Sequence, residues 1–386
     1  MKSIYLDNAA TTKMHSSVKK EMSIAEEKYF GNSSSLHKIG RVAKDELDIA
    51  REKISKKVNN KNHKLIFTSG GTESNNFALK GLCQADKNKK HIITTKIEHD
   101  SILNTAKFLE KNGYAVTYLD VDKYGFVKTD ALVNALKKDT LLVSVIQGNN
   151  EIGTIQNIKE ISKIVHDNGT LLHVDACQSF TKHPIDIEKE NIDILTINAH
   201  KIYGPKGVGG LFIKEGIKLE SLLHGGGHEY KLRSGTVNVP GIVGFSKATE
   251  VISEKDISNM TTLRNMLVNG LKDVSDSWLN GPKIDSGKRL CNNANFSFMY
   301  AEGEAILLYL DALGISVSTG SACSSNTLES SHVLKAIGLK QEQTHGTIRF
   351  SIGIDNTKED IKYTIDSVKE VIAKLRNMNP YRYKVK

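Results

Sequence analysis

Apolar positions in the first half of the chain gather into short β-rich runs. They are Lys64-to-Thr68, His91-to-Thr95, Ala115-to-Leu119, Leu141-to-Ile146, Leu171-to-Val174, Ile194-to-Ile197 and Gly210-to-Ile213. Runs of this length between polar or glycine-containing segments predict strands. Between several of them the period changes. Ala43, Leu47, Ala50, Ile54 and Val58 share one helical face, and Ile155, Ile158, Ile161, Ile164 and Val165 share another. Strands alternating with helices predict an α/β fold whose largely parallel sheet is covered on both faces. Such sheets hold their sites beyond the carboxyl ends of the strands. From about Thr261 the alternation loosens into a helical stretch, an Asn-rich strand region over 292–300 and a final helix around 360–376. That change predicts a smaller C-terminal domain. No internal repeat or low-complexity segment is present.

Length and composition narrow the class. At 386 residues the chain exceeds what one hydrophobic core organises, which agrees with two domains. Hydrophobic residues are 39%, charged residues 25%, and there are 30 glycines against 5 prolines, which excludes disordered and linker-rich chains. No apolar run approaches the ~20 residues of a membrane span. Met1-Lys2-Ser3-Ile4-Tyr5-Leu6-Asp7 reaches an acid before an apolar signal segment forms, so a cytoplasmic location without a membrane partner is expected. The net charge of +9 is read as solvated surface, since Lys87-Asn88-Lys89-Lys90 is isolated and signs mix elsewhere. No direct nucleic-acid contact is expected. Four cysteines, Cys83, Cys177, Cys291 and Cys323, form neither a disulfide framework nor a metal-binding spacing.

Segments at the strand ends carry candidate chemistry. Thr68-Ser69-Gly70-Gly71-Thr72-Glu73-Ser74-Asn75 leads from the first strand into a helical stretch. Glycines let the backbone approach a phosphate, and a following helix offers free N–H groups and a positive dipole end. A plain glycine turn capped by Thr72 is the alternative. His173-Val174-Asp175-Ala176-Cys177-Gln178 ends an apolar strand with an acid, which needs a cationic partner there. A protonated pyridine nitrogen or a structural salt bridge would each supply one. Lys201 follows another strand in the polar, Gly-rich turn Asn198-to-Gly207. Desolvation and nearby cations make such a lysine a nucleophile able to form a Schiff base; a surface lysine is the alternative. Cys323 lies in Ser318-Thr319-Gly320-Ser321-Ala322-Cys323-Ser324-Ser325-Asn326, too small and polar to pack a core. A thiol displayed there points to reactivity. Cys177, beside a buried strand, and Cys83, on an apolar helical face, are expected to be core residues, and Cys291 has no assignment.

Further motifs join these in a fixed order. Tyr5-to-Thr12, Phe30-Gly31-Asn32, Thr68-to-Asn75, Glu98-His99, Asn149-to-Gly153, Val174-to-Ser179 and Ala199-to-Gly210 are followed by His224-to-Glu229, Arg233-to-Thr236, Gly320-to-Ser324 and Ile348-to-Ser351. The series, spanning nearly the whole chain, resembles the class V, fold-type I pyridoxal-phosphate enzymes, and within them the cysteine desulfurases. The resemblance implies a large cofactor domain over 14–257 with a mainly parallel seven-stranded sheet. A smaller α+β domain from 1–13 and 258–386 would carry the cysteine loop. It also implies roles. Lys201 would hold pyridoxal 5'-phosphate, Asp175 would pair with its pyridine nitrogen, Gln178 would bond the ring hydroxyl, and His99 would stack on the ring and shuttle protons. Gly71, Thr72, Asn198 and His200 would hold the phosphate, with Thr236 reaching in from a second copy in a homodimer. Asn32, Asn150 and Arg349 would grip the substrate carboxylate, a task suited to an Arg fork; Asn150 would also border the cofactor. Cys323 would take sulfur from L-cysteine as a persulfide, release alanine and pass the sulfur to an acceptor protein, either an iron–sulfur scaffold or a thiolation enzyme.

Departures and neighbouring activities sharpen this. Asn198 stands where many relatives carry a small hydroxyl residue. Glu329-Ser330-Ser331-His332 lacks the proline often found after the cysteine loop, and the tail from Asn379 is shorter than in members that dock a scaffold. A class V aminotransferase or a selenocysteine lyase would share Lys201, Asp175 and His99. Cys323 argues against the aminotransferase, which has no use for a nucleophilic thiol there.

Overall fold

The computed structural model describes residues 3–319 and 330–379. Its centre is a seven-stranded sheet in the order His63–Thr68, Gly209–Lys214, Ile194–Asn198, Leu171–Asp175, Thr140–Ile146, His91–Thr95 and Ala115–Leu119. Each of the seven strands predicted in the first half of the chain is present within one residue at either end. Alternation along the strands places neighbours on opposite faces. Leu65, Phe67, Ile93, Leu195 and Phe212 pack into the cluster on one side, while Ile66, Ile92, Ile194 and Leu211 pack into that on the other.

Helices cover both faces, as a parallel sheet requires. Gly71–Ala85 and Asp100–Lys111 bury Phe77, Leu82, Ile102 and Leu109 on one side. Lys38–Lys56, Ile158–Asp167 and Val239–Ala248 bury Leu47, Ile54, Ile161, Val165 and Phe245 on the other. Val58 and Ile155 are buried but fall just outside their expected helices. One strand departs from the parallel pattern: Gly209–Lys214 runs antiparallel to both neighbours. The connection over 199–208 contains no helix, and without a crossover the chain can only turn back on itself.

A second, antiparallel sheet joins Ser318–Thr319, Thr347–Ser351, Asn293–Phe298 and Ser277–Leu279. The N-terminal strand Ile4–Tyr5 pairs with Ile315–Ser316, so the chain's start lies beside its last quarter. The predicted final helix is Lys358–Met378, opened by a Thr357/Asp360 capping box. The helical stretch near Thr261 begins earlier, at Glu254, where Ser253 and Asp256 form another capping box. That helix, Glu254–Leu271, runs across position 257 and packs on Lys358–Met378. Among the described residues no helix is long and apolar enough to cross a membrane.

Candidate active site

At the carboxyl edge of the large sheet lies a cavity of about 280 Å³. Its walls come from strand ends and the loops after them: Gly71, Thr72, His99, Asn150, Asp175, Gln178, Asn198, His200 and Lys201, with Arg349 arriving from the small sheet. The N-terminal segment closes the remaining side with Ala9 and Ala10. Ten of the expected site residues thus meet in one place.

Lys201 sits in a turn fixed by its backbone. Ala199 O accepts from the N–H groups of Ile202 and Gly204, at 3.1 and 3.0 Å. A Cβ at Gly204 would come within 2.7 Å of that same oxygen, so glycine is required. Tyr203 has φ +67° and donates its N–H to Thr12 Oγ1 at 2.7 Å. The Lys201 Nζ donates to the carbonyls of Ala9 and Ala10, at 2.5 and 2.7 Å. Behind the turn, the buried Lys182 donates to Lys201 O at 3.2 Å, and burial pushes its amine down to about 8. Next to Lys201, burial with help from the Lys201 charge pushes the His200 imidazole down to about 4, so it is neutral near pH 7.

Opposite lies the Gly70–Gly71–Thr72 turn. Gly70 caps the helix Gly71–Ala85 without any side-chain hydrogen bond, leaving the first backbone N–H groups for an anion. A Cβ at Gly71 would lie 2.5 Å from Cys177 Sγ, and one at Gly209 only 2.7 Å from the Gly70 backbone. Both glycines are therefore needed for the wall to close. Thr72 lines the cavity but gives no cap, so the plain capped turn is not what forms. Cys177 is a correction: it is no core residue but part of this wall, because the loop after Leu171–Asp175 turns its side chain toward the glycines. Burial pushes its thiol well above the ordinary value. Cys83 and Cys291 are buried in the hydrophobic clusters.

Asp175 is 2% exposed and accepts from Asn75 Nδ2 at 2.7 Å and from the Cys177 N–H at 2.9 Å. Among the described residues both its donors are neutral, and no salt bridge reaches it. A buried carboxylate with only neutral donors suits a cationic ring nitrogen. His99 caps the helix Asp100–Lys111, its Nδ1 accepting the Ser101 N–H at 3.1 Å, and burial lowers its pKa against the pull of Asp175. Gln178 Nε2 donates to Ala9 O at 2.8 Å, and the buried Asn198 Oδ1 has no partner among the described residues.

Arg349 is almost fully buried. Its Nη2 pairs with Asp7 Oδ1 at 2.8 Å, its Nη1 reaches Asn150 O at 3.4 Å, and its Nε has no partner among the described residues. Two expected residues stand apart. Asn32 accepts the Ser34 N–H at 3.0 Å away from the cavity walls, and Thr236 lines a separate cleft with Ser69, Arg233 and Gly235. Cys323 and the rest of 320–329 lie outside the described residues. Asn75, Ser101 and Asp7 had not been singled out from the sequence. Asn75 and Asp7 have partners 100 and 342 positions away, and only the general need of a buried charge for donors could have pointed to them.

The donor set fits pyridoxal phosphate: an amine for attachment, a buried carboxylate held by neutral donors for the ring nitrogen, and a glycine-lined helix start for the phosphate. The sequence profile of the aminotransferase class-V family matches residues 4–364. Cysteine desulfurase IscS of Dictyoglomus turgidum is 49% identical over 384 residues, covering 98% of this chain and 97% of that protein. The solved structure of a NifS-like protein superposes with a TM-score of 0.90 at 38% identity, covering 96% of this chain and 100% of its own. A second, SspA in complex with cysteine, gives a TM-score of 0.80 at 33% identity, covering 91% and 99%. With sequence, fold and cavity in agreement along nearly its whole length, the chain belongs to the aminotransferase class-V family, on the branch of the cysteine desulfurases.

Proposed function

We propose that the chain is a pyridoxal-phosphate-dependent cysteine desulfurase that moves sulfur from L-cysteine onto Cys323. The observation that carries this reading is the meeting of the Lys201 amine, the Asp175 carboxylate and the Gly71 turn around one cavity. Bound there, the cofactor supplies an electron sink for negative charge developing at the substrate α-carbon. Lys201 Nζ would hold the cofactor, and its amine lies on the cavity wall where it can take the α-proton and return one. Asp175 keeps the ring nitrogen protonated. His99 lies on the cavity wall, where it can pass a proton to the substrate. Arg349 orients the substrate carboxylate.

The sulfur step belongs to Cys323. Its thiolate attacks the substrate sulfur, an S–S bond forms, the Cβ–S bond breaks and the β-carbon takes a proton. L-Cysteine and the Cys323 thiol become L-alanine and a Cys323 persulfide, with no outside oxidant. The complex of the similar SspA with cysteine supports the substrate assignment. Thr236, outside the cavity of its own chain, is read as serving the site of a second copy in a homodimer. The persulfide would pass to an acceptor protein of iron–sulfur assembly or thiolation, in a cytoplasm that keeps thiols reduced.

Alkylation and mass spectrometry of the holoenzyme after one turnover test this. One extra sulfur on the Cys323 peptide is expected, and none on those of Cys83, Cys177 or Cys291. Alanine formation without sulfur on Cys323 would overturn it.

A further inference from the structure

Between Asp175 and His99 runs a chain of hydrogen bonds that the desulfurase chemistry above leaves unused. Asn75 Nδ2 lies 2.7 Å from Asp175 Oδ2 and 2.8 Å from Ser101 Oγ. Ser101 Oγ lies 2.9 Å from His99 Nδ1, which also accepts the Ser101 backbone N–H. Asn75 and Ser101 are both buried, and neither belongs to the expected site set.

The donors can be assigned by elimination. A backbone N–H only donates, so Nδ1 presents a lone pair and the His99 ring proton, in the neutral form, sits on Nε2. Ser101 Oγ then donates its single proton to Nδ1 and has lone pairs left for Asn75. Asp175 Oδ2 accepts here, so Asn75 turns its amide NH₂ group toward both oxygens. Flipping Asn75 would set its carbonyl against the carboxylate and draw the Ser101 proton away from His99. Among the described residues the buried Asn75 Oδ1 has no partner, so what this residue contributes here is its two donors.

We propose that Asn75 and Ser101 are positioning residues that hold His99 as the Nε2-protonated tautomer and tie that choice to the orientation of Asp175. His99 thereby enters the reaction as a proton donor at Nε2. The same Asn75 amide that steadies the carboxylate meant for the ring nitrogen sets the starting proton on the histidine. The inference rests on the desulfurase reading for its catalytic meaning. The tautomer itself is measurable without turnover.

The test is ¹⁵N NMR of the holoenzyme labelled at histidine, with His99→Gln identifying the resonances of this ring among the 13 histidines. An unprotonated Nδ1 and a protonated Nε2 are expected in the parent. Ser101→Ala and Asn75→Leu, which remove or release the hydroxyl donor and leave the longer 3.1 Å backbone N–H on Nδ1, should draw the two ring shifts part of the way toward each other, and Ser101→Thr, which keeps the hydroxyl, should restore the parent pattern. A proton on Nδ1 in the parent, or unchanged shifts in both Ser101→Ala and Asn75→Leu, would overturn the proposal. A merely structural role would lower the unfolding temperature of those variants and leave the ring shifts where they were. Should the parent show the expected tautomer and yet form no alanine from cysteine, the desulfurase reading would fail while the relay stood.

Discussion

Asp7 Oδ1 and Arg349 Nη2, 342 positions apart in sequence, meet at 2.8 Å, so the cation expected to take the substrate carboxylate is already held by a carboxylate of the chain. Removing one partner of a buried pair leaves an uncompensated charge, at a cost of about 3–5 kcal/mol where burial is complete. Arg349 is 3% exposed but Asp7 is 20% exposed, so the cost is expected at or below the low end of that range. Asp7→Ala should therefore unfold several degrees lower than the parent. A carboxylate ligand would replace the missing partner, so added L-alanine should recover more of that loss in the variant than it adds to the parent. Thermal denaturation with and without L-alanine checks both.

The Gly71–Cys177 approach makes a paired prediction. A Cβ at position 71 would lie 2.5 Å from the Cys177 sulfur, so Gly71→Ala should release the cofactor or block its binding. Trimming the opposing wall with Cys177→Ala should restore part of the visible absorbance of the bound cofactor. Burial keeps the Cys177 thiol protonated, so Cys177→Ala alone should keep the desulfurase rate within about twofold, an effect below ~0.5 kcal/mol.

Lys182 predicts a pH dependence of stability. Its folded pKa, about 8, lies below the ordinary 10.5, so the unfolded chain binds more protons between these values and stability rises with pH across that window. Below pH 8 the group costs the fold on the order of 3 kcal/mol. Lys182→Met should remove this contribution. The parent-minus-variant difference in unfolding free energy, from urea titrations, should rise between pH 8 and 10.5 and stay level below pH 7.

Ser331 and Glu151 tie the segment after the cysteine loop to the site. Ser331 Oγ donates to Glu151 Oε2 at 2.5 Å, and His332 Nε2 lies 2.8 Å from the carbonyl of Glu98, the residue before His99. Both carboxylates, Glu98 and Glu151, are pushed up by burial, Glu98 to about 8. Ser331→Ala leaves a buried acceptor unmet, worth about 1–3 kcal/mol. It should slow persulfide formation on Cys323 several-fold while leaving cofactor absorbance unchanged, which rapid-quench mass spectrometry would show.

What could be read from the sequence was whatever is local or periodic. The seven strands showed as apolar runs, and the helix Lys38–Lys56 showed through Leu47, Ala50 and Ile54, because burial of one face imposes a period. The reversed direction of Gly209–Lys214 left no such mark; it follows from the missing helix over 199–208. The first turn of Glu254–Leu271 left no apolar period, because Glu254-Lys255-Asp256 is wholly charged and Asp256 serves as a capping residue. Within the cavity, Lys201, Asp175 and Gly71 were visible because each breaks a local rule. The Asn75–Asp175 pair spans 100 positions and the Asp7–Arg349 pair 342, and nothing local in an Asn or an Asp announces such a partner. Cys177 misled for the same reason, since its place beside a buried strand did not reveal which way the following loop turns it.

The most direct test of the central claim is to incubate the holoenzyme with L-cysteine and a reductant, and to quantify alanine and sulfide beside a Cys323→Ala variant that still carries the cofactor. Equal yields of both products are expected from the parent and almost none from the variant. A variant that matches the parent, or a parent that makes no alanine, would contradict it.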